Sequence, residues 1–212
     1  MKKAMIFIDA NNWYHNIKHW FKPSDIDITK VAELISKEKK LDIKEIRWYV
    51  SMPNIEDNEL IYKRQRSFLG HLQKQGVKII TRKLQKLSNK ELKKKRQELL
   101  ESWDLCSVCK KIVEPSLLDI KDSNQKEKGI DVWIAIDMVK EAIRNNLDCC
   151  ILISGDADFV PAFALIKDAE KEVLSAFIPR GYSNELRQKF DYFIFEREDL
   201  AKCLKEYKKE QE

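Results

Sequence analysis

Apolar positions along the chain follow two spacings, one of strands and one of helices. Ala4 to Ile8 is an unbroken apolar run ending in Asp9, the pattern of a strand buried in a parallel sheet. Ile43 to Ser51 predicts a second strand, with Ile46, Trp48 and Val50 on one face, and Val77 to Arg82 a third. Residues 10–20, 27–38 and 57–75 repeat at helical spacing; Asp25 or Asp27 caps the second of these helices, and Gly76 closes the third. From Gly129 onward the rhythm gives a helix over 130–146, a strand from Cys149 to Ser154, a helix over 159–169 and a strand from Val173 to Ile178. A helix over 183–189, a short apolar run from Tyr192 to Phe195 and a terminal helix from Glu198 complete it. Strands alternating with helices build a mostly parallel sheet covered on both faces, so the predicted fold class is α/β, three-layered α/β/α.

Residues 85–127 break that rhythm and read as a charged helical insertion. Ser88 is placed to cap a helix from 89 to about 103 containing Lys93, Lys94, Lys95 and Arg96, after which come Cys106, Cys109 and a polar stretch. The expected organisation is one domain over 1–197, interrupted by the insertion, and a C-terminal helix over 198–212. A length of 212 residues fits one large domain or one domain with an insertion. Only 5 glycines and 5 prolines are present, so long helices and few tight hairpins are expected.

Composition narrows the class. Hydrophobic residues make up 43% and charged residues 35%, enough apolar side chain for a packed interior. The N-terminal apolar run is too short for a signal peptide, and no uncharged apolar stretch reaches the roughly 18 residues of a membrane span. Five sparse cysteines argue for reduced thiols, and the expected location is the cytoplasm. Net charge is +5, yet residues 129–212 hold 17 acidic against 12 basic side chains. A basic body with an acidic pole suits a polyanion held against a metal-loaded carboxylate site; uneven surface charge without purpose fits equally well.

The carboxylates carry the candidate chemistry. In a parallel sheet the loops at the strands' carboxyl ends form the crevice, and Asp9, Asp156 and Asp158 all fall at that edge. The helix over 130–146 is apolar nearly all round and is expected to be largely buried, yet it carries Asp131 in its first turn and Asp137 further on. A buried carboxylate demands a cationic neighbour. Four clustered carboxylates repel unless a divalent ion intervenes, and oxygen-only ligation selects Mg²⁺ or Mn²⁺. Such a cluster serves phosphodiester hydrolysis through an activated water. Gly155 and Ala157 suit a loop that a substrate backbone approaches closely, and the helix start at 159 suits phosphate. Against this, an Asp at a helix start is most often a cap, an objection that touches Asp131 and Asp158 more than Asp9.

FIDANN at 7–12, KGIDVWIAID at 128–137, ISGDADFVP at 153–161 and YSNELRQKFDYFI at 182–194 resemble, in order, the four blocks of the NYN domain in its LabA-like branch, a relative of PIN-domain nucleases. The resemblance covers residue 4 to about 195, apart from the insertion. It implies a PIN-like sheet and an Mg²⁺- or Mn²⁺-dependent endoribonuclease, with Asp9, Asp131, Asp156 and Asp158 as the acidic cluster and Asn12, Ser154 and Asp137 as supporting groups. Asn12 is expected on a metal water or on Asp9, or as a helix cap. Asp137 lies six residues, about 240°, round the helix from Asp131, so its expected role is indirect. Lys128 either neutralises the cluster and grips phosphate or is simply solvated.

Phosphate contacts are expected from Arg180, Arg187 and Lys189 near the edge and from Lys94 and Arg96 in the insertion. Trp13 and Tyr14 are candidates to stack an unpaired base, with at least one of them expected in the core. Cys106 and Cys109 form half of a zinc site, with no second pair in the insertion; free thiols are the reading taken. Partners reduce to RNA, no membrane, and a homodimer left open. Two rival readings stand beside the ribonuclease: a binding module for RNA or protein without turnover, and a phosphate-accepting domain with Asp9 as nucleophile, weakened because the late strand ends in Ile178 and Pro179 rather than lysine.

Overall fold

The computed structural model describes residues 1–118, 123–126, 129–179 and 181–205. In chain order the elements are β1 (Lys2–Asp9), α1 (Ala10–Ile17), α2 (Ile28–Lys39), β2 (Leu41–Met52), α3 (Glu59–Lys74) and β3 (Lys78–Lys83). Next come β4 (Gln85–Ser88), α4 (Lys90–Ser102), α5 (Ser107–Leu118) and β5 (Ser123–Lys126). The chain ends with α6 (Ile130–Ile143), β6 (Cys149–Ile153), α7 (Val160–Asp168), β7 (Glu172–Phe177), α8 (Asn184–Lys189), β8 (Asp191–Ile194) and α9 (Arg197–Lys202).

Six strands form one sheet in the order β3-β2-β1-β6-β7-β8. β1 runs parallel to β2 and to β6, β6 to β7, and β7 to β8. The chain first adds strands on one side of β1 and then returns to add the rest on the other. Loops at the carboxyl ends of β1 and β6 therefore diverge, and a crevice opens between them. Ala4, Ile6 and Ile8 face a core shared with Trp13, Ile17, Val31 and Ile35, whereas Met5 and Phe7 face a second core with Ile134, Met138, Phe163 and Ile166. Both faces of β1 are covered, which is why its sequence is an apolar run without alternation. The Tyr192–Phe195 run supplies the edge strand β8, with Phe193 paired to Ala176.

Local chemistry sets the element ends. Asp27, not Asp25, caps α2, accepting from the Thr29 amide at 2.9 Å. After α3 the chain turns through Gly76 at φ 83°, a left-handed conformation that glycine adopts without strain. α9 belongs with the body: Leu200 and Cys203 lie in the first core, and Leu204 bridges to Ile26.

The chain divides into two compact units, Met1–Arg82 with Gly129–Glu212, and Lys83–Lys128. In the second unit α4 follows Asn89 rather than Ser88, and the supposed polar stretch contains α5, which runs through Pro115. β4 and β5 pair antiparallel, Gln85 opposite Lys126 and Ser88 opposite Ser123.

The expectation that α6 is largely buried is overturned. Ile130, Ile134, Met138 and Ala142 are buried, but Val132, Trp133 and Ile136 remain 58%, 44% and 58% exposed. A helix in an outer layer has the sheet on one side only, so an apolar outer stripe stays in water.

Candidate active site

Asp9 ends β1 and begins α1, so the buried strand delivers its carboxylate directly to the crevice. The side chain is 5% exposed. Its Oδ1 accepts from the amides of Asn11 and Asn12, both at 3.1 Å. The sequence reading that capping explains Asp9 less well is therefore corrected: the strand stops one residue before the helix starts, and the same oxygen serves as N-cap. Oδ2 accepts from the Ser154 hydroxyl at 3.3 Å. Ser154 is 1% exposed, and its Oγ also accepts from the Asp156 amide at 3.3 Å. One hydroxyl thus joins the β1 carboxylate to the loop that carries Asp156 and Asp158. Asn12 joins them a second time: its Oδ1 accepts from the Gly155 amide at 3.3 Å and from Asn16 at 2.9 Å, so its side chain is not a cap.

Two expectations about this loop change. The helix begins at Val160 rather than 159, after a 3-10 turn over Ala157–Phe159 whose Asp158 amide is already taken by Asp156 Oδ1 at 3.0 Å, while the start of α7 carries no side-chain cap. Gly155 answers to packing rather than to substrate approach: a Cβ there would lie 2.1 Å from the Gly181 carbonyl oxygen. Ser183 donates back to the Gly155 carbonyl at 2.8 Å, locking the two loops together.

Asp131 stands at the first turn of α6, an end that faces the same edge. Its side chain is exposed rather than buried as expected, and partial desolvation, followed by the negative charges of Asp156 and Asp158, pushes its carboxyl above the usual aspartate range. Asp137 is engaged elsewhere: it accepts from the Tyr49 hydroxyl at 2.8 Å and lies 3.6 Å from Arg47. Arg47, 5% exposed, also binds Glu141 at 2.9 Å, contacts Glu45, and lies over the Phe7 ring at 5.5 Å. The cation that answers Asp137 and Glu141 of α6 is therefore Arg47 of β2, and Asp131 is not among its partners. Sequence reasoning missed it, although strand alternation puts Arg47 and Tyr49 together on the face opposite Trp48. Burial raises the Tyr49 hydroxyl's proton affinity, as does its bond to Asp137, so it remains a donor.

Asp9, Asp131, Asp156 and Asp158 offer oxygen donors only, the type that hard divalent cations take. Among the described residues, no three His, Cys, Asp or Glu side chains are grouped so that they could hold a metal ion, so the predicted four-carboxylate cluster is not drawn together as an ion site.

Against known sequences, the NYN domain matches residues 3–201. The chain belongs to the NYN domain family. NYN domains are members of the PIN-like nuclease superfamily, and the parallel sheet with its switch point agrees with that fold. An uncharacterized protein of Methanocaldococcus jannaschii is 31% identical over 83 residues, 36% of this chain and 35% of its own length. This chain thus spans about a third of that relative. No solved structure matches.

The basic residues expected to hold RNA in this NYN domain are dispersed. Arg187 packs over the rings of Tyr182 and Tyr192, at 5.5 and 5.7 Å, and remains exposed at the β8 side of the edge. Lys189 pairs with Glu185 at 2.7 Å. In the second unit Lys94 pairs with Glu98 at 3.8 Å, and Arg96 donates to the Leu117 carbonyl at 3.0 Å. Lys128 and Arg180 lie outside the described residues. Trp13 is a core residue, 3% exposed and edge-on to Phe195, while Tyr14 is 53% exposed with Lys18 over its ring. Cys106 and Cys109 are exposed thiols, with the Cys109 amide 3.4 Å from the Cys106 sulfur. No helix among the described residues is long and apolar enough to cross a membrane.

Proposed function

We propose that this NYN domain is a metal-dependent endoribonuclease of the LabA-like branch, with Asp9, Asp131, Asp156 and Asp158 as its acidic cluster. The observation that carries the reading is the single hydroxyl of Ser154 tying Asp9 to the Asp156 loop, with Asp131 within electrostatic reach of the same loop. On this reading the carboxylates of β1, α6 and the β6 loop act together at one sheet edge. These residues would hold Mg²⁺ or Mn²⁺, which when bound supplies a nucleophilic water at neutral pH and charge stabilisation for the leaving oxygen. Ser154 and the Asn11 and Asn12 amides fix the rotamer of Asp9. Asn12 and Gly181 fix the position of Gly155, and with it Asp156. Arg187, braced by two tyrosines, presents a guanidinium fork for phosphate.

The test is incubation with single-stranded RNA and Mn²⁺, against EDTA and against Asp156→Asn. The expected outcome is cleavage that EDTA abolishes and that the substitution lowers by on the order of 10²-fold. Cleavage indifferent to both excludes this mechanism. RNA binding without turnover in every metal tested identifies a binding module on the same fold.

A further inference from the structure

Trp133 and Arg82 form a pair that the acidic cluster does not use. Trp133 lies on α6 two residues after Asp131 and is 44% exposed. The Arg82 guanidinium sits 5.8 Å from the centre of its indole. One Arg82 nitrogen, Nη1, donates to the Gly129 carbonyl at 3.2 Å, and no carboxylate pairs with Arg82 among the described residues. Gly129 makes room for it: the residue is left-handed at φ 78°, and a Cβ there would lie 2.4 Å from Nη1. An unpaired guanidinium anchored by one carbonyl keeps most of its five donors for an incoming group.

The placement of this pair is specific. Trp133 and Asp137 are four residues apart, on one side of α6, and Asp137 is bound to Tyr49 of β2. Trp133 therefore lies on the β2 and β3 side of the helix, while Asp131, two residues or about 200° away, answers to Asp156 and Asp158 on the β6 side. The pair flanks the acidic edge at the amino end of α6. An exposed indole offers a flat face on which a base stacks, and a guanidinium stacked on that indole turns its edge to phosphate.

We propose that Arg82 and Trp133 form a subsite for one nucleotide of single-stranded RNA beside the acidic edge, Trp133 stacking the base and Arg82 holding its phosphate. The subsite rests on the ribonuclease reading for the nature of its polyanion. It differs from the charge patches expected from sequence in using an aromatic face and a cation together.

The test measures anisotropy of a fluorescein-labelled oligoadenylate bound to the full chain in EDTA, so that cleavage does not intervene. Trp133→Ala and Arg82→Gln are each expected to weaken Kd by about tenfold or more, and Trp133→Phe by about threefold or less. Arg82→Gln is also expected to lower the salt slope of log Kd by about 0.7, the loss of one phosphate contact to a single strand. Melting curves on each variant, and rescue by Trp133→Phe, separate a lost contact from a lost fold. Unchanged Kd and unchanged salt slope in both variants overturn the subsite, even where wild-type cleavage in Mn²⁺ upholds the ribonuclease. Weakened binding without any metal-dependent cleavage upholds the subsite and overturns the ribonuclease. A change of oligomeric state in Trp133→Ala with unaltered RNA affinity overturns the subsite in favour of a protein-docking face.

Discussion

The Ser154 hydroxyl serves two partners from one buried position, donating to Asp9 and accepting from the Asp156 amide. Removing it leaves the buried Asp9 carboxylate one donor short, a loss of about 1–3 kcal/mol, and takes the acceptor from the half-buried Asp156 amide, which costs less. Ser154→Ala is expected to lower the melting temperature and to cut Mn²⁺-dependent kcat about tenfold with KM little changed; a variant with wild-type kcat removes Ser154 from any orienting role. Gly155 is as constrained by its lack of a side chain. Gly155→Ala drives a methyl to 2.1 Å from the Gly181 carbonyl oxygen, and a loss of about 1–3 kcal/mol in urea unfolding is expected. Asp9 and Ser154 were visible in the sequence as polar residues closing apolar runs. The role of Gly155 was not, because the backbone it touches comes from Gly181 and Tyr182, whose proximity is a product of the fold.

At the scale of elements, α6 shows what composition conceals. Its residues are apolar nearly all round, and only the structure tells which are covered. The signal that was available lies in β2: alternation places Arg47 and Tyr49 on one buried face, and a buried cation requires an acid on the element above it. Asp137 and Glu141, one turn apart on α6, meet that requirement. Burial alone would raise the pKa of Glu141, but hydrogen bonds from Asn146 and Arg47, and the charge of Arg47, outweigh it and hold the pKa below the ordinary 4.5. The native state therefore gains stability from ionised Glu141 above pH 4.5, and that gain disappears as pH falls through the depressed native value. Glu141→Gln is expected to be less stable than wild type at pH 7 and to converge on it under acid, as read by melting temperature across pH 2–7. A constant difference over that range excludes the linkage.

Over the whole molecule, the alternation of strands and helices was enough to give the class of fold, because both cores depend on spacing within single elements. The crevice depends instead on strand order, which places β6 rather than β3 beside β1. That order is decided by how two distant stretches pack, and no local spacing records it. The Lys83–Lys128 unit leaves the body after Arg82 and rejoins it at Gly129, whose carbonyl accepts from Arg82 itself.

The pairing of Gln85 with Lys126 acts as a clasp on that excursion. While it is open, the search that brings β6 against β1 must close a long, loose detour; once it is shut, the detour is topologically a short connection. On loop-closure grounds the difference is on the order of 2 kcal/mol in the folding barrier. The double variant Lys86→Pro and Leu87→Pro, adjacent positions of which an antiparallel ladder uses one as donor, is expected to slow refolding in stopped-flow measurements while leaving the unfolding rate of the body nearly unaltered. The tempo at which the acidic edge assembles would then be governed by four pairs of residues in the other unit of the chain.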